Sequence, residues 1–325
     1  MKRVFILALV ITIGGTISVV SALQLNAAAQ STAIQGGDTA DSWVGPIQKI
    51  KDNVYWIHGA GSNTTVYVHA NGVALVDTKV ANFGHLILER VRSVTDKPIT
   101  HIINTHYHFD HIGGNTFFPA SVEVVAHENT AKYMQAIGDF TLPYTRHALP
   151  DRTFRDHMTL LSGDDTIDLY YLGAAHTDGD AFVYFRKARV LATGDAFAYQ
   201  SLPNIDFGHG GSGIAFPETI ATVAATFRDA DAVVAAHSAA PFKSSDLADY
   251  AEFLRLMAQH ARTSFQQGKS PQQAFDGFPA ILPAKFKDYA MGLPTVRPGG
   301  GVFVILFDEL RKQAAGTVPA GRESK

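Results

Sequence analysis

The chain has 325 residues, 46% of them hydrophobic, enough for one large core or two small ones. Its formal net charge is −3 and only 18% of residues are charged, with no Lys/Arg run or basic stripe, which argues against nucleic acid as a partner. There is no cysteine, which excludes disulfides, thiolate metal ligands and a cysteine nucleophile.

Lys2-Arg3 precede an apolar stretch from Val4 to Val20, and Ala27-Ala28-Ala29 before Gln30 fits a small-residue cleavage site. Residues 1–29 therefore read as an export signal, which places the mature chain in the periplasm or outside the cell. An uncleaved anchor is the weaker reading, because the apolar run is slightly short for a span; no stable membrane span is expected after processing. Residues 30–45, rich in Ser, Thr, Gly and Asp, read as a flexible lead-in. A single domain is expected over 46–312, followed by a disordered tail over 313–325.

Strands crowd the next stretch. Val54 to His58 comes first, then Thr65 to His69 and Val73 to Asp77 around Asn71-Gly72, a two-residue hairpin signal. Phe83, Leu86, Ile87, Val91 and Val94 share one face of a helix. Ile99 to Asn104 is a buried strand running into His106-Tyr107-His108-Phe109-Asp110-His111, with a turn over Ile112 to Asn115. Four nitrogen or oxygen metal ligands in six residues suit zinc, and also iron, manganese or nickel. Each imidazole buried there needs a partner, which a hydrophobic core does not supply.

A strand over Val122 to Val125 and a helix from Glu128 to Ile137 follow. Residues 139–158, rich in Pro, Arg and His, read as a surface loop with little regular structure. Thr166 to Leu172, Ala181 to Phe185 and Arg189 to Thr193 are strand-like. Gly208 to Gly213 lacks the Lys-Ser/Thr ending of a phosphate loop and precedes a helix from Glu218 to Phe227. Ala232 to Ala236 is a further strand. Leu247, Tyr250, Leu254, Met257 and Ala261 stripe a long amphipathic helix, and Val302 to Phe307 is a last apolar run. Strands interrupted by helices indicate a layered α/β or α+β architecture.

Three more apolar strands run into ligand-type residues: Tyr170 to Ala175 into His176, Val190 to Gly194 into Asp195, and Val233 to Ala236 into His237. Small residues beside each let backbones approach a shared centre. With this order and spacing the chain resembles the metallo-β-lactamase-fold hydrolase superfamily over about residues 77–237. The resemblance implies a four-layer αββα sandwich of two mixed sheets with the site along one edge. It implies that His106, His108 and His176 hold one zinc, that Asp110, His111 and His237 hold a second, and that Asp195 bridges them. Asp77-Thr78 resembles the family's first short motif, with Asp77 placed behind the ligands as a hydrogen-bond partner. An aspartate at 195 is similar to glyoxalase-II-type thioesterases and lactonases, whereas class B β-lactamases usually have Cys or Ser there. The segment His176-Thr177-Asp178-Gly179-Asp180 departs from the H-T-P-G-H of those thioesterases and lactonases, and Ala198 stands where some β-lactamases place a substrate-gripping Lys.

The implied activity is that of an exported dinuclear zinc hydrolase acting on a small molecule. A metal-bridging hydroxide attacks the carbonyl of an ester, lactone, thioester or amide, and Asp110 orients the nucleophile or carries its proton. A β-lactam amide is one alternative substrate. An iron-dependent oxidoreductase of the same fold is an alternative of another class; phosphodiester hydrolysis and non-catalytic metal binding are weaker readings. Asp178 and Asp180 fit turn or cap roles better than ligand roles. His209, between two glycines, is a candidate for the substrate entrance. Tyr199 and Phe207, with Leu202 and Phe216, are candidates for a pocket wall, although core packing explains each equally well.

Overall fold

Two β-sheets carry the site. The computed structural model describes residues 43–289, 291 and 301–316. The expected export signal, most of the lead-in and residues 317–325 lie outside the described residues. The first sheet has seven strands in sequence order: β1 (Val44–Lys51), β2 (Val54–Gly59), β3 (Thr64–His69), β4 (Gly72–Val76), β5 (Ile99–Asn104), β6 (Glu123–His127) and β7 (Arg152–Phe154). Its first half is antiparallel and its second half, from β4 onward, parallel. The second sheet runs β12-β11-β10-β9-β8, from β8 (His157–Leu160), β9 (Ile167–Tyr170), β10 (Phe182–Phe185), β11 (Val190–Ala192) and β12 (Ala232–Val234). Only β11 and β12 in it are parallel.

Side-chain alternation explains the stacking. In β4, Ala74 and Val76 face the second sheet, where they meet Leu169, Val183, Val190 and Val234. Their neighbours Val73 and Leu75 face outward, onto Leu86, Ile87 and Val91 of helix α1 (Gly84–Arg92). In the second sheet Leu191 and Val233 face outward in turn. They pack under α3 (Phe216–Thr226), α4 (Ser244–Gln266), α5 (Pro271–Ile281) and α6 (Gly301–Ala314). Helix α2 (Glu128–Gln135) follows β6. Helix, sheet, sheet, helix is the expected four-layer sandwich, and each face of each sheet removes apolar area from water.

Several local expectations are corrected. β1 begins at Val44, so the last two residues of the expected lead-in belong to a strand. The β3–β4 turn residues are Ala70 and Asn71, because His69 pairs with Gly72. Gly72 serves close approach instead: a Cβ there would lie 2.4 Å from the Thr100 side chain on β5. Residues 139–158 are not an unstructured loop. They contain two short 3-10 turns and then β7 and the start of β8, the edge strands through which the chain passes from one sheet to the other. Three- and four-residue edge strands are too short to show a period in sequence. Val94 lies beyond the end of α1 and is 38% exposed. Gln313 and Ala314, assigned to the tail, continue α6. Among the described residues no helix is long and apolar enough to cross a membrane.

Candidate metal centre

The site residues lie at or shortly beyond strand ends, on the loops and the one-turn helix that follow them. β4 delivers Asp77, β5 delivers Thr105 and His106, β11 delivers Asp195, and β12 delivers His237. The loop from β9 to β10 carries His176. His108 closes an extended step before the one-turn helix Phe109–Ile112, whose first turn presents Asp110 and whose last residues include His111. Strand ends of two stacked sheets open on the same edge, so His237 and Asp110, 127 positions apart in sequence, meet.

Two clusters form. The ligand atoms of His106, His108, His176 and Asp195 all lie within 4.8 Å of one another, as do those of Asp110, His111 and His237. Asp195 divides its oxygens between them. Oδ2 lies 3.6 Å from His176 Nε2 and 3.9 Å from His106 Nε2. Oδ1 lies 3.2 Å from His111 Nε2 and 3.0 Å from His237 Nε2. Asp110 Oδ2 lies 3.4 Å from His237 Nε2 and 3.8 Å from His111 Nε2. Gly194, which precedes Asp195, has φ +55° and its Cα sits against Thr105, so a Cβ would collide 2.6 Å from the threonine hydroxyl.

Partners behind the imidazoles set which nitrogen faces inward. His111 Nδ1 donates to Asp77 Oδ2 (2.7 Å), and the same carboxylate accepts from the Thr105 amide and hydroxyl (2.8 and 2.7 Å). Asp77 holds this post from a left-handed backbone, φ +61°. His176 Nδ1 donates to the Asn204 carbonyl (2.9 Å) and His108 Nε2 donates to Asp206 Oδ2 (3.0 Å). His176 Nε2 and His108 Nδ1 are then both lone-pair nitrogens, and they face each other at 3.0 Å. His106 Nε2, His111 Nε2 and Asp195 Oδ1 are buried and form no hydrogen bond. Buried bare acceptors pointing at one another are unfavourable unless a cation lies between them. The donor set, nitrogen and carboxylate oxygen, fits zinc.

The electrostatics agree. Burial works against charge on His106, and the neighbouring imidazoles of His111, His176 and His108 hold it well below its ordinary value as well. Burial opposes charge on His111 too, but Asp77, Asp195 and Asp110 outweigh it and push the pKa well up. Asp195 raises His237. Although burial disfavours its charge, Asp195 is itself held well below the carboxylate range by His237 and His111. Three carboxylates converging on these rings demand positive charge at this spot, which a divalent cation supplies.

Asp206 is the partner that sequence reading missed. Tyr107 and His209 (Nδ1, 2.9 Å) also donate to its Oδ2, so one oxygen gathers three donors. Burial opposes its ionisation, yet His108, Tyr107 and His209 together hold its pKa far below the usual range. It lies in an ordinary-looking Asn204-Ile205-Asp206-Phe207 stretch with no local signal. The expected entrance residue His209 joins the site through Asp206 and Tyr107, and its side chain is 42% exposed. Tyr199 lies tilted against Phe242, ring centroids 4.2 Å apart, and Phe207 lies under the Lys312 ammonium; both pack on the outer helical core. Asp180 accepts from the Thr177 amide and hydroxyl, and Asp178 from the Tyr133 hydroxyl. Both serve the turn that carries His176.

The family model described as metallo-beta-lactamase superfamily matches residues 59–263. The alpha subunit of 2,4-dinitroanisole O-demethylase from Nocardioides sp. is 35% identical over 102 residues, 30% of this chain and 29% of that subunit. The type 2 metallo-beta-lactamase of Bacteroides fragilis is 27% identical over 204 residues, 59% of this chain and 78% of the relative. Among solved structures, the stereoselective inverting sec-alkylsulfatase from Pseudomonas sp. superposes with a TM-score of 0.68 at 14% identity, covering 85% of this chain and 52% of its own.

Proposed function

This chain belongs to the metallo-beta-lactamase superfamily, and from that premise we propose that it is a zinc-dependent hydrolase with a dinuclear centre, acting on the carbonyl of a small ester, lactone, thioester or amide. His106, His108 and His176 would hold one ion, Asp110, His111 and His237 the other, and Asp195 would contact both. One observation supports this above the rest: the inward nitrogens of His106 and His111 have no hydrogen-bond partner, those of His176 and His108 face each other at 3.0 Å, and the two oxygens of Asp195 are split between the clusters.

Bound zinc lowers the pKa of a water toward about 7 and polarises the bond to be cut. The chain's own residues do the rest. Asp110 is part-exposed (26%) beside His237 (48%), which marks the side from which substrate arrives. From there its carboxylate orients the attacking water, takes its proton and passes it to the leaving group. Asp77, Asn204 and Asp206 keep the imidazoles turned with lone pairs inward. The basic-then-apolar N-terminal segment supports export to the periplasm or medium.

A second reading is sulfate-ester hydrolysis. It is favoured by the alkylsulfatase fold covering 85% of this chain, beyond the stretch matched by the family model. Elemental analysis with a substrate panel on the same preparation tests both. The panel holds a lactone, a thioester, a chromogenic cephalosporin and a secondary alkyl sulfate. About two zinc ions per chain with turnover of a carbonyl substrate supports the first reading. Turnover of the sulfate alone supports the second. Iron in place of zinc, with no hydrolysis, would favour the oxidoreductase reading and count against both.

A further inference from the structure

Lys79 is a lysine with no exposed surface, two residues beyond Asp77. Its Nζ donates to three backbone carbonyls: Ile57 (2.8 Å), Gly59 (2.8 Å) and Ser62 (2.7 Å). Three acceptors match the three N–H groups of an ammonium. Among the described residues no carboxylate is hydrogen-bonded to or ion-paired with this ammonium, so its burial is costly and calls for a reason. Burial pulls its pKa down to about 7 while Asp77 opposes.

The reason lies in what the gripped segment holds. The Ser62 amide and hydroxyl both donate to the Asp110 carbonyl (3.3 and 2.7 Å). The Asn63 amide donates to Ala236 O (2.7 Å), and its side chain donates to Ala235 O (2.8 Å) and Ser238 O (2.9 Å). The carbonyls on either side of His237 are therefore both tied to Asn63. Lys79 also reaches the Asp110 turn directly by accepting from the Gly114 amide (3.2 Å), and the Val80 amide donates to Ala60 O (3.2 Å). Two ligand-bearing segments from different sheets thus share a single support, residues 59–63, and that support hangs on one ammonium.

We propose that Lys79 is a positioning residue that clamps residues 57–62 and thereby sets Asp110 and His237 relative to each other, fixing the second cluster of the metal centre. The part concerning metal rests on the dinuclear reading above; the part concerning the clamp does not. A residue that merely stabilised the fold would weaken both clusters alike. Lys79 weakens one.

The test uses the full chain with Lys79→Met, which fills the space without the donors. In metal-free protein, amide exchange is compared at Ser62 and Asn63 and, as reference, at Val183 in β10. Protection at Ser62 and Asn63 should fall about tenfold or more while Val183 keeps its own. In zinc titration against a chelator, the second equivalent should weaken about tenfold or more and the first stay within about threefold. Unchanged protection at Ser62 and Asn63, or equal weakening of both equivalents, overturns the proposal. Should the wild-type chain take up no second zinc, the dinuclear reading fails and the exchange arm alone decides the clamp. Should Lys79→Met not fold, Asn63→Ala replaces it: selective loss of the second equivalent supports the shared support, and no change refutes it.

Discussion

Replacing Asp206 by Asn is the sharpest probe of how the first cluster is held. The side chain keeps its shape and loses its charge, and one end becomes a donor facing donors. Asp206 Oδ2 accepts from His108 Nε2 at 3.0 Å, from His209 Nδ1 at 2.9 Å and from the Tyr107 hydroxyl. A hydrogen bond to a charged group is worth about 1.5–3 kcal/mol, and a neutral acceptor recovers about half. Partners behind metal-ligating histidines typically change affinity by about 10–100-fold when removed, or about 1.4–2.8 kcal/mol. The two estimates meet at about 1.4 kcal/mol, so zinc at His106, His108 and His176 should weaken about tenfold. Zinc at Asp110, His111 and His237 should stay near wild type, because His111 relies on Asp77. Competition with a chelator of known affinity, following both equivalents, reads the difference. Tyr107→Phe removes one donor and leaves the His108 bond, so it should cost less. If Asp206→Asn binds both ions as the wild type does, the orientation argument for His108 is wrong.

Other outcomes follow from the same contacts. Asp77→Ala strands the His111 Nδ1–H and both Thr105 donors in a buried site, and should lower unfolding free energy by about 3 kcal/mol or more in urea melts. Asp77→Asn, which keeps one acceptor, should cost less. Asp195→Ala removes the oxygen shared with each cluster, so metal content should fall below that of any single-histidine variant; retention of both ions would refute the sharing. Because the folded-state pKa of Asp206 is depressed, its contribution to stability is present above the unfolded value of about 3.9 and is lost as pH falls through the folded value. Melts of metal-free wild type and Asp206→Asn should accordingly differ at neutral pH and converge in acid.

Much of the frame was legible in the sequence because it is encoded locally. Short apolar runs placed β2, β4, β5, β10 and β11, and the Leu247–Ala261 stripe placed α4, because both signals lie within the element itself. The ligand types were legible for a similar reason: a polar residue closing an apolar strand is conspicuous whatever the rest of the chain does. Asp77 apart, tertiary structure alone decided which partners those ligands have. Asp206 lies 98 positions from His108, Asn63 lies 172 from Ala235, and Lys79 reaches back across a strand pair; none of these leaves a trace in periodicity. Such bonds exist because two sheets stack with their strand ends on one edge, which sequence order does not state. The split of Asp195 between the two clusters is a consequence of that stacking, and the ammonium behind one of them of the folding of the first sheet on itself.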